Sequence, residues 1–178
     1  MKFDEKAVLM AMKNDNEAFA SIYRSICTDL YKMAFYIMGN GTLAEDIVSD
    51  TVLDAYKGIS KLKDSSKFEQ WILKILTNKC KKMLRSKYSR FSVFNPDARN
   101  IDDYNLKSEN DLSAQDERTD IQNAISKLPQ LDRMIISLCI VEGYKSHEAA
   151  QILSMNPSTV RSRLNRSLAK IKNDLEVK

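Results

Sequence analysis

Apolar residues recur every three to four positions along most of this chain, which is the spacing of residues on one face of an α-helix. Runs that alternate between apolar and polar residues, and β-branched runs closed by turn dipeptides, are missing from the sequence. The pattern therefore predicts an all-α protein. With 178 residues, 43% of them hydrophobic, the chain can build one or two compact helical domains.

The helical periodicity stops between residues 97 and 120, where eight acidic residues, three basic residues and few large apolar side chains occur. That composition is typical of a linker. The flanking parts are basic, with a net charge of +5 over residues 1–96 and +4 over residues 121–178. We therefore predict two small helical domains, residues 1–92 and 121–178, joined by a flexible acidic linker over residues 93–120.

The sequence offers little support for catalysis. His147 is the single histidine, and the four glycines form neither of the common phosphate-binding runs, G-x-x-x-x-G-K-[ST] and G-x-G-x-x-G. We therefore predict no catalytic residue, no metal, no cofactor and no small-molecule substrate. The first residues carry charges throughout and lack a long apolar segment, so they predict neither a signal peptide nor a transmembrane helix, and we expect a cytoplasmic protein.

Residues 146–166 have the layout of a helix-turn-helix. The run "SHEAAQIL" predicts a short helix with Ser146 as its N-cap, "SMN" predicts a tight turn, and Pro157 opens a longer second helix. One side of a helical wheel drawn for the second helix is apolar and should face the core. The apolar positions are Val160, Leu164, Leu168, Ile171 and Leu175.

The opposite side of that helix is polar and cationic. Small or hydrogen-bonding side chains let a helix approach a DNA groove, and arginines at its flanks lie where phosphates run. An ordinary solvated surface is the alternative for such a helix in isolation, but the preceding helix and turn favour DNA. The candidate contacts are Ser158, Thr159, Arg161, Ser162, Arg163, Asn165 and Arg166.

A second helix is predicted after the glycine-rich turn at residues 39–41, with Thr42 and Glu45 as a capping box. Its outer side carries acidic residues around one leucine. A leucine ringed by carboxylates resembles a binding hot spot for a basic protein, although single exposed leucines are common. A carboxylate-metal site is a further alternative, but no histidine or second carboxylate helix completes it. The candidate protein-binding residues are Asp46, Ser49, Asp50 and Leu53.

A loop and a long helix follow, from residue 61 to residue 90. The outer side of the helix is polar, includes Thr77, and becomes strongly basic, with six basic residues and no acidic residue from Lys79 to Arg90. Such a loop and helix could hold a flipped or single-stranded base, and a solvated cationic helix end is the alternative. The candidate nucleic-acid contacts are Lys63, Ser65, Ser66, Lys67, Lys74, Asn78, Lys81 and Arg85.

Three blocks in this order resemble the extracytoplasmic-function (ECF) sigma factors of the bacterial sigma-70 family. They are "AFASIYRSICTDLYKMAFYIMGNGTLAEDIVSDTVLDAYKGI", "FEQWILKILTNKCKKMLR" and "LPQLDRMIISLCIVEGYKSHEAAQILSMNPSTVRSRLNR". The resemblance implies a promoter-specificity subunit of RNA polymerase rather than an enzyme. It implies a region 2 helical bundle that binds core polymerase and the −10 promoter element, and a region 4 helix-turn-helix that binds the −35 element.

The resemblance also implies roles for the candidate residues. The acidic helix, with Asp46, Ser49, Asp50 and Leu53, would dock on the clamp helices of core polymerase, and further contact with the polymerase flap is expected. The loop after it and the long basic helix would take the −10 strand, and the last helix would read the −35 element. An anti-sigma factor, often membrane-anchored in this family, would cover both domains and could hold the chain at the inner face of the membrane.

Two positions depart from the family pattern. Ala149 stands where a larger aliphatic residue is common, and Ser154 replaces the usual turn glycine. Both lie in the helix-turn-helix, so they bear on the geometry of its turn. The alternative function that we keep is a helix-turn-helix transcriptional regulator with a helical sensor domain that acts without core polymerase.

Overall fold

The computed structural model describes residues 1–94 and 120–176, with side chains described through residue 86 and again from residue 120. Within these ranges every regular element is helical, which confirms the all-α prediction. The predicted linker, residues 93–120, falls almost wholly outside the described residues. The helices are α1 (Glu5–Ala11), α2 (Asn16–Met38), α3 (Gly41–Gly58), α4 (Phe68–Phe94), α5 (Asp120–Ser126), α6 (Gln130–Ile136), α7 (Ser146–Leu153) and α8 (Pro157–Glu176).

Short connections join these helices. The 3₁₀ turns Ile59–Lys61 and Ser65–Lys67 link α3 to α4, and a π-helical turn over Ser137–Val141 extends α6. Among the helices described, none is both long enough and apolar enough to cross a membrane.

The start of α3 differs from the sequence prediction. The helix begins at Gly41, and the side chain of Asn40 accepts a hydrogen bond of 2.9 Å from the backbone N–H of Leu43. The predicted capping box at Thr42 and Glu45 is therefore wrong. Asparagine is among the best N-cap residues, and Asn40 has the extended backbone that the position requires, so it caps the helix two residues before the threonine.

The N-terminal unit consists of α1 to α4 packed around one apolar core. The side of α3 that was predicted to be buried is buried, with Val52 only partly so. The buried arc of α4 is wider than predicted, because Leu73 and Thr77 are fully buried as well. The assignment of Thr77 to the outer face was wrong, and its hydroxyl donates to the carbonyl of Leu73 at 2.9 Å.

The C-terminal unit packs directly on the N-terminal unit. Helix α7 contacts α4, while α5 and α6 contact α2, and buried residues of both units belong to one continuous core. The guanidinium of Arg133 donates to the carbonyl of Ile37 at 3.4 Å, and the amide of Gln122 donates to the hydroxyl of Tyr36 at 3.4 Å. The junction therefore combines apolar packing with polar contacts, which include the Met1 ammonium and a carboxylate oxygen of Glu142 at 3.1 Å.

The core side of α8 is narrower than its sequence suggests. Val160 is fully buried, but Leu168 and Leu175 are more than a third exposed, so their assignment to the core was wrong. Ser167 is buried in their place.

The turn of the helix-turn-helix uses a serine in a glycine-like conformation. Helix α7 begins at Ser146 rather than using it as the N-cap, and it is followed by the C-cap Ser154, which has a φ of 51° and a ψ of 48°. This left-handed residue lets the N–H of Met155 donate to the carbonyl of Ala150 at 2.9 Å. The predicted tight turn is therefore present without a glycine.

Substitutions at two left-handed residues should shift stability in opposite directions. Ser154→Gly should raise the free energy of unfolding by about 0.5–1 kcal/mol, because a left-handed conformation costs non-glycine residues about 1 kcal/mol and added chain flexibility offsets part of the gain. Gly143→Ser should lower it by about 1 kcal/mol, since Gly143 has a φ of 77° in open space. Thermal unfolding should show Tm changes of about 2–4 °C. A fall in Tm for Ser154→Gly would contradict this account of the turn.

Candidate nucleic-acid and protein interfaces

The acidic face of α3 is accessible. Asp46, Ser49, Asp50 and Leu53 are all exposed, and Leu53 exposes 54% of its surface. Thr51, on the other side of the helix, is fully buried and donates to the carbonyl of Ile47. One side of α3 is therefore exposed and the other is buried. The structure therefore brings the four predicted protein-binding residues together on one surface.

A lysine from α4 crosses to this acidic face. The ammonium of Lys79 lies 2.6 Å from a carboxylate oxygen of Asp54 and 3.8 Å from one of Asp50. The hydrogen bond from Lys79 holds the pKa of the Asp54 carboxyl below its usual value. The pairing compensates charge at Asp50 and Asp54, which lie on the C-terminal side of Asp46 along the face. Lys79 was not among the predicted residues, because its role depends on contact between two helices.

Tyr56 extends the apolar part of the α3 face. It follows Leu53 by three positions, so the two side chains are neighbours on the helix, and it is 50% exposed. Its ring packs edge-on against Phe19 at 5.2 Å, and its hydroxyl donates to Asn16 at 2.9 Å. The sequence analysis missed this residue, although a wider reading of the same helical wheel would have included it.

The predicted nucleic-acid face of α4 forms an exposed polar strip. Lys74, Asn78 and Arg85 lie on it with their side chains exposed. Lys81 lies beside them but is only half-exposed, because its ammonium hydrogen-bonds the backbone carbonyl of Leu153 in the C-terminal unit. Burial, followed by the nearby charges of Arg85 and Lys74, lowers the pKa of the Lys81 ammonium.

The loop before α4 contributes three of its four predicted residues to the surface. Lys63, Ser66 and Lys67 are exposed, whereas Ser65 is buried and its hydroxyl donates to a carboxylate oxygen of Glu5 at 2.9 Å. Ser65 therefore differs from the sequence expectation, since its side chain faces the protein. The difference arises from α1, which contacts this turn from a distant part of the chain.

An internal carboxylate shapes the same loop. The side chain of Asp64 accepts hydrogen bonds from the hydroxyl of Ser66 at 2.6 Å and from its backbone N–H at 3.0 Å. These bonds hold the pKa of the Asp64 carboxyl below its usual value. Asp64 also lies 3.8 Å from the ammonium of Lys67, an exposed pair that is easily exchanged. The loop is thus pre-formed, with Lys63 and Lys67 on its outer side.

Helix α8 presents most of its predicted DNA face to solvent. Pro157 opens the helix, and Asn156 accepts hydrogen bonds from the N–H of Ser158 at 2.9 Å and from its hydroxyl at 2.8 Å. The first turn is therefore fixed in front of the cationic residues. The predicted residues with exposed side chains are Ser158, Thr159, Arg161, Ser162, Asn165 and Arg166.

Arg163 is the exception on this helix. Its guanidinium donates to the carboxylate of Asp132 at 2.9 Å, and both side chains are only 15% exposed. The pair joins α8 to α6 inside the C-terminal unit. Arg163 therefore differs from the expectation that it flanks the DNA face, because a partner 31 residues earlier in the chain holds it.

Comparison with protein families places two known regions on these units. The profile described as Sigma-70 region 2 matches residues 22–90, and the profile described as Sigma-70, region 4 matches residues 118–171. The first spans most of α2 to α4, which carry the acidic face and the α4 strip. The second spans the helix-turn-helix.

Two curated relatives match over most of their length. The chain is 30% identical over 142 residues to the ECF RNA polymerase sigma factor EcfG of Rhodopseudomonas palustris (strain TIE-1), covering 80% of this chain and 76% of that protein. It is 27% identical over 180 residues to the ECF RNA polymerase sigma factor SigW of Bacillus subtilis (strain 168), covering 96% of each.

Two solved structures share the fold. One is CnrH in complex with the cytosolic domain of CnrY, with a TM-score of 0.66, 20% identity and coverage of 98% of both chains. The other is the sigma factor RpoE in complex with the anti-sigma factor NepR from Bartonella quintana, with a TM-score of 0.67, 22% identity and coverage of 88% of this chain and 95% of that chain. With both sigma-70 regions in order and a 30% identical ECF relative, this chain belongs to the ECF sigma factors of the sigma-70 family.

Proposed function

We propose that this ECF sigma factor directs core RNA polymerase to its promoters through three surfaces, which are the α3 face, the α4 strip with its loop, and the exposed side of α8. The observation that carries the proposal is the pairing of an exposed acidic-apolar face with two exposed cationic faces on one chain. Sigma factors are initiation factors and not enzymes. A run-off transcription assay with core polymerase tests the function, and a chain that neither joins core nor starts transcripts would contradict it.

The α3 face supports polymerase binding. A central leucine with an adjacent tyrosine supplies apolar area, and Asp46 and Asp50 around it supply charge for a basic partner surface. Hot spots in protein interfaces combine a central apolar anchor with a polar surround that excludes water. We therefore assign Asp46, Ser49, Asp50 and Leu53 to contact with the clamp helices, and we add Tyr56 to them.

The α4 strip supports binding of the −10 element. Lys74, Lys81 and Arg85 can pair with phosphates, and Asn78 can hydrogen-bond a base or a sugar. Lys63, Ser66 and Lys67 place further donors at one end of the strip. Ser65 supports this loop from inside through its bond to Glu5.

The exposed side of α8 supports binding of the −35 element. A recognition helix contacts base edges mainly with residues near its N-terminus, and here those residues are exposed and the helix start is capped. Asn165 and Arg166 have the donors for base edges in the major groove, and Arg161 lies at the flank where a phosphate would pass. Arg163, held by Asp132, acts as a positioning residue for the helix.

We also infer control by an anti-sigma factor. The RpoE structure that shares this fold contains the anti-sigma factor NepR, and the CnrH structure contains the cytosolic domain of CnrY. The exposed apolar and acidic residues of α3 offer a surface that such a partner could cover in place of polymerase. A membrane-anchored partner would hold the chain at the inner face of the membrane.

The leucine at the centre of the α3 face should matter for polymerase. Leu53→Ala should weaken binding to core polymerase by about five- to thirty-fold, the loss expected for a hot-spot side chain worth about 1–2 kcal/mol. Leu9→Ala is the matched control, because Leu9 is a similarly exposed leucine (46%) on α1, outside the proposed face. Core affinity is measured by titration with labelled sigma. Equal affinity for both variants would remove the α3 face from the proposal.

Salt dependence should separate phosphate contacts from base contacts on α8. Arg161→Ala should weaken binding to every duplex and reduce the slope of log K against log salt concentration by about 0.9, since one phosphate contact is lost. Arg166→Ala should cost about 1–3 kcal/mol on the preferred sequence and relax the choice at one base pair. Binding titrations of the full chain at several salt concentrations measure both. An unchanged slope for Arg161→Ala would contradict its phosphate role.

The Asp132–Arg163 pair should act on DNA binding through the position of α8. Arg163→Met should lower the free energy of unfolding by about 1–3 kcal/mol, because a charged hydrogen bond is lost in a mostly buried place. Both variants should bind the −35 element more weakly, although Asp132 lies outside the DNA face. Asp132→Asn should leave the slope of log K against log salt concentration unchanged. Denaturation and the same binding titrations check both. If Asp132→Asn binds DNA normally while Arg163→Met does not, Arg163 contacts DNA directly.

A further inference from the structure

One residue of the α4 strip, Lys81, is in contact with the C-terminal unit. The ammonium of Lys81 hydrogen-bonds the carbonyl oxygen of Leu153, which is the last residue of α7 and lies 72 residues later in the chain. The last carbonyls of a helix lack partners within the helix and carry the negative end of its dipole. Lys81 therefore satisfies a carbonyl that the fold of α7 leaves open.

The other surroundings of Lys81 are unfavourable for a cation. Lys74 lies two turns before it and Arg85 one turn after it along α4, and the packed junction removes part of its water. The carbonyl end of α7 is the interaction that offsets this cost. The neighbours Lys74 and Arg85 remain exposed, so Lys81 differs from them only in its contact with the C-terminal unit.

In the packed arrangement, the two units also lie too close together for the chain to bind both promoter elements at once. Elements centred at −10 and −35 are separated by about 25 base pairs, or about 85 Å of B-DNA. A chain of this length packed as one body has a radius of gyration of about 16 Å, so its faces cannot span that distance. The units must therefore separate, which would break the polar contacts at their junction, including the pair of the Met1 ammonium and the Glu142 carboxylate at 3.1 Å.

We propose that Lys81 is a latch, which holds the C-terminal unit closed over α4 through the end of α7 and is released when a DNA phosphate binds the same ammonium. The closed form and the −10-bound form are then mutually exclusive at this residue. The proposal deepens the proposed function and rests on it for the identity of the phosphate. The contact between Lys81 and α7 does not depend on that function.

Small-angle X-ray scattering of the free full-length chain tests the latch. Lys81→Met keeps the apolar stem and removes the charge, and it should lower the ratio of closed to open molecules by about tenfold or more, as loss of a hydrogen bond to a charged group implies. Lys82→Met makes the same change at the next, exposed residue of α4 and should leave the ratio unchanged. Lys81→Arg keeps a donor and should restore most of the closed form. Circular dichroism confirms that each variant is folded.

Equal closed-to-open ratios in the native chain, Lys81→Met and Lys82→Met would overturn the latch. A second arm adds a single-stranded oligonucleotide carrying a −10 sequence to the native chain, and we expect expansion of the chain on binding. Binding without expansion would overturn the mutual exclusion while leaving the proposed function in place. Failure of both the native chain and Lys81→Met to bind would instead remove the −10 assignment, and the scattering of the variants would still decide whether Lys81 closes the molecule.

Discussion

The packing of α4 on two sides is the constraint on which the arrangement of this protein depends. Phe68, Leu76 and Cys80 are buried, and the buried arc continues through Leu73 to Thr77, beside Lys81, which contacts α7. A helix buried over so wide an arc leaves a narrow strip for solvent. The candidate −10 contacts on α4 are confined to that strip, so the core that stabilises the fold also limits where they can lie.

The N-terminal unit carries an acidic surface and a cationic surface that lie close together but remain separate. The acidic face of α3 and the cationic strip of α4 belong to adjacent helices, and Lys79 reaches from one to the other to pair with Asp54 and Asp50. The exposed pairing is weak in energy, but it sets a boundary between the surfaces. Under the proposed function, a basic protein partner would meet Asp46 and Leu53, and phosphates would meet Lys74 and Arg85.

The patterns that predicted the fold are local, and several of the errors come from contacts between distant residues. Helical periodicity located the helices because apolar residues recur on the side of each helix that packs against the core. Ser65 turned inward because Glu5 lies beside it, 60 residues earlier in the chain. Leu168 and Leu175 are more than a third exposed, although they lie at helical spacing from the buried Val160. A helical wheel contains none of this information.

Arg161 and Arg163 show the same limit at the level of function. Both were predicted as flanking cations of one helix, and the sequence contains nothing local that separates them. The fold separates them, because Asp132 on α6 lies within 2.9 Å of Arg163, whereas Arg161 is exposed. Separating a mostly buried ion pair leaves each charge buried without its partner, which is costly. Arg163 is therefore held within the C-terminal unit. In this protein the role of a cationic residue follows from its partner in the fold as much as from its place on a helix.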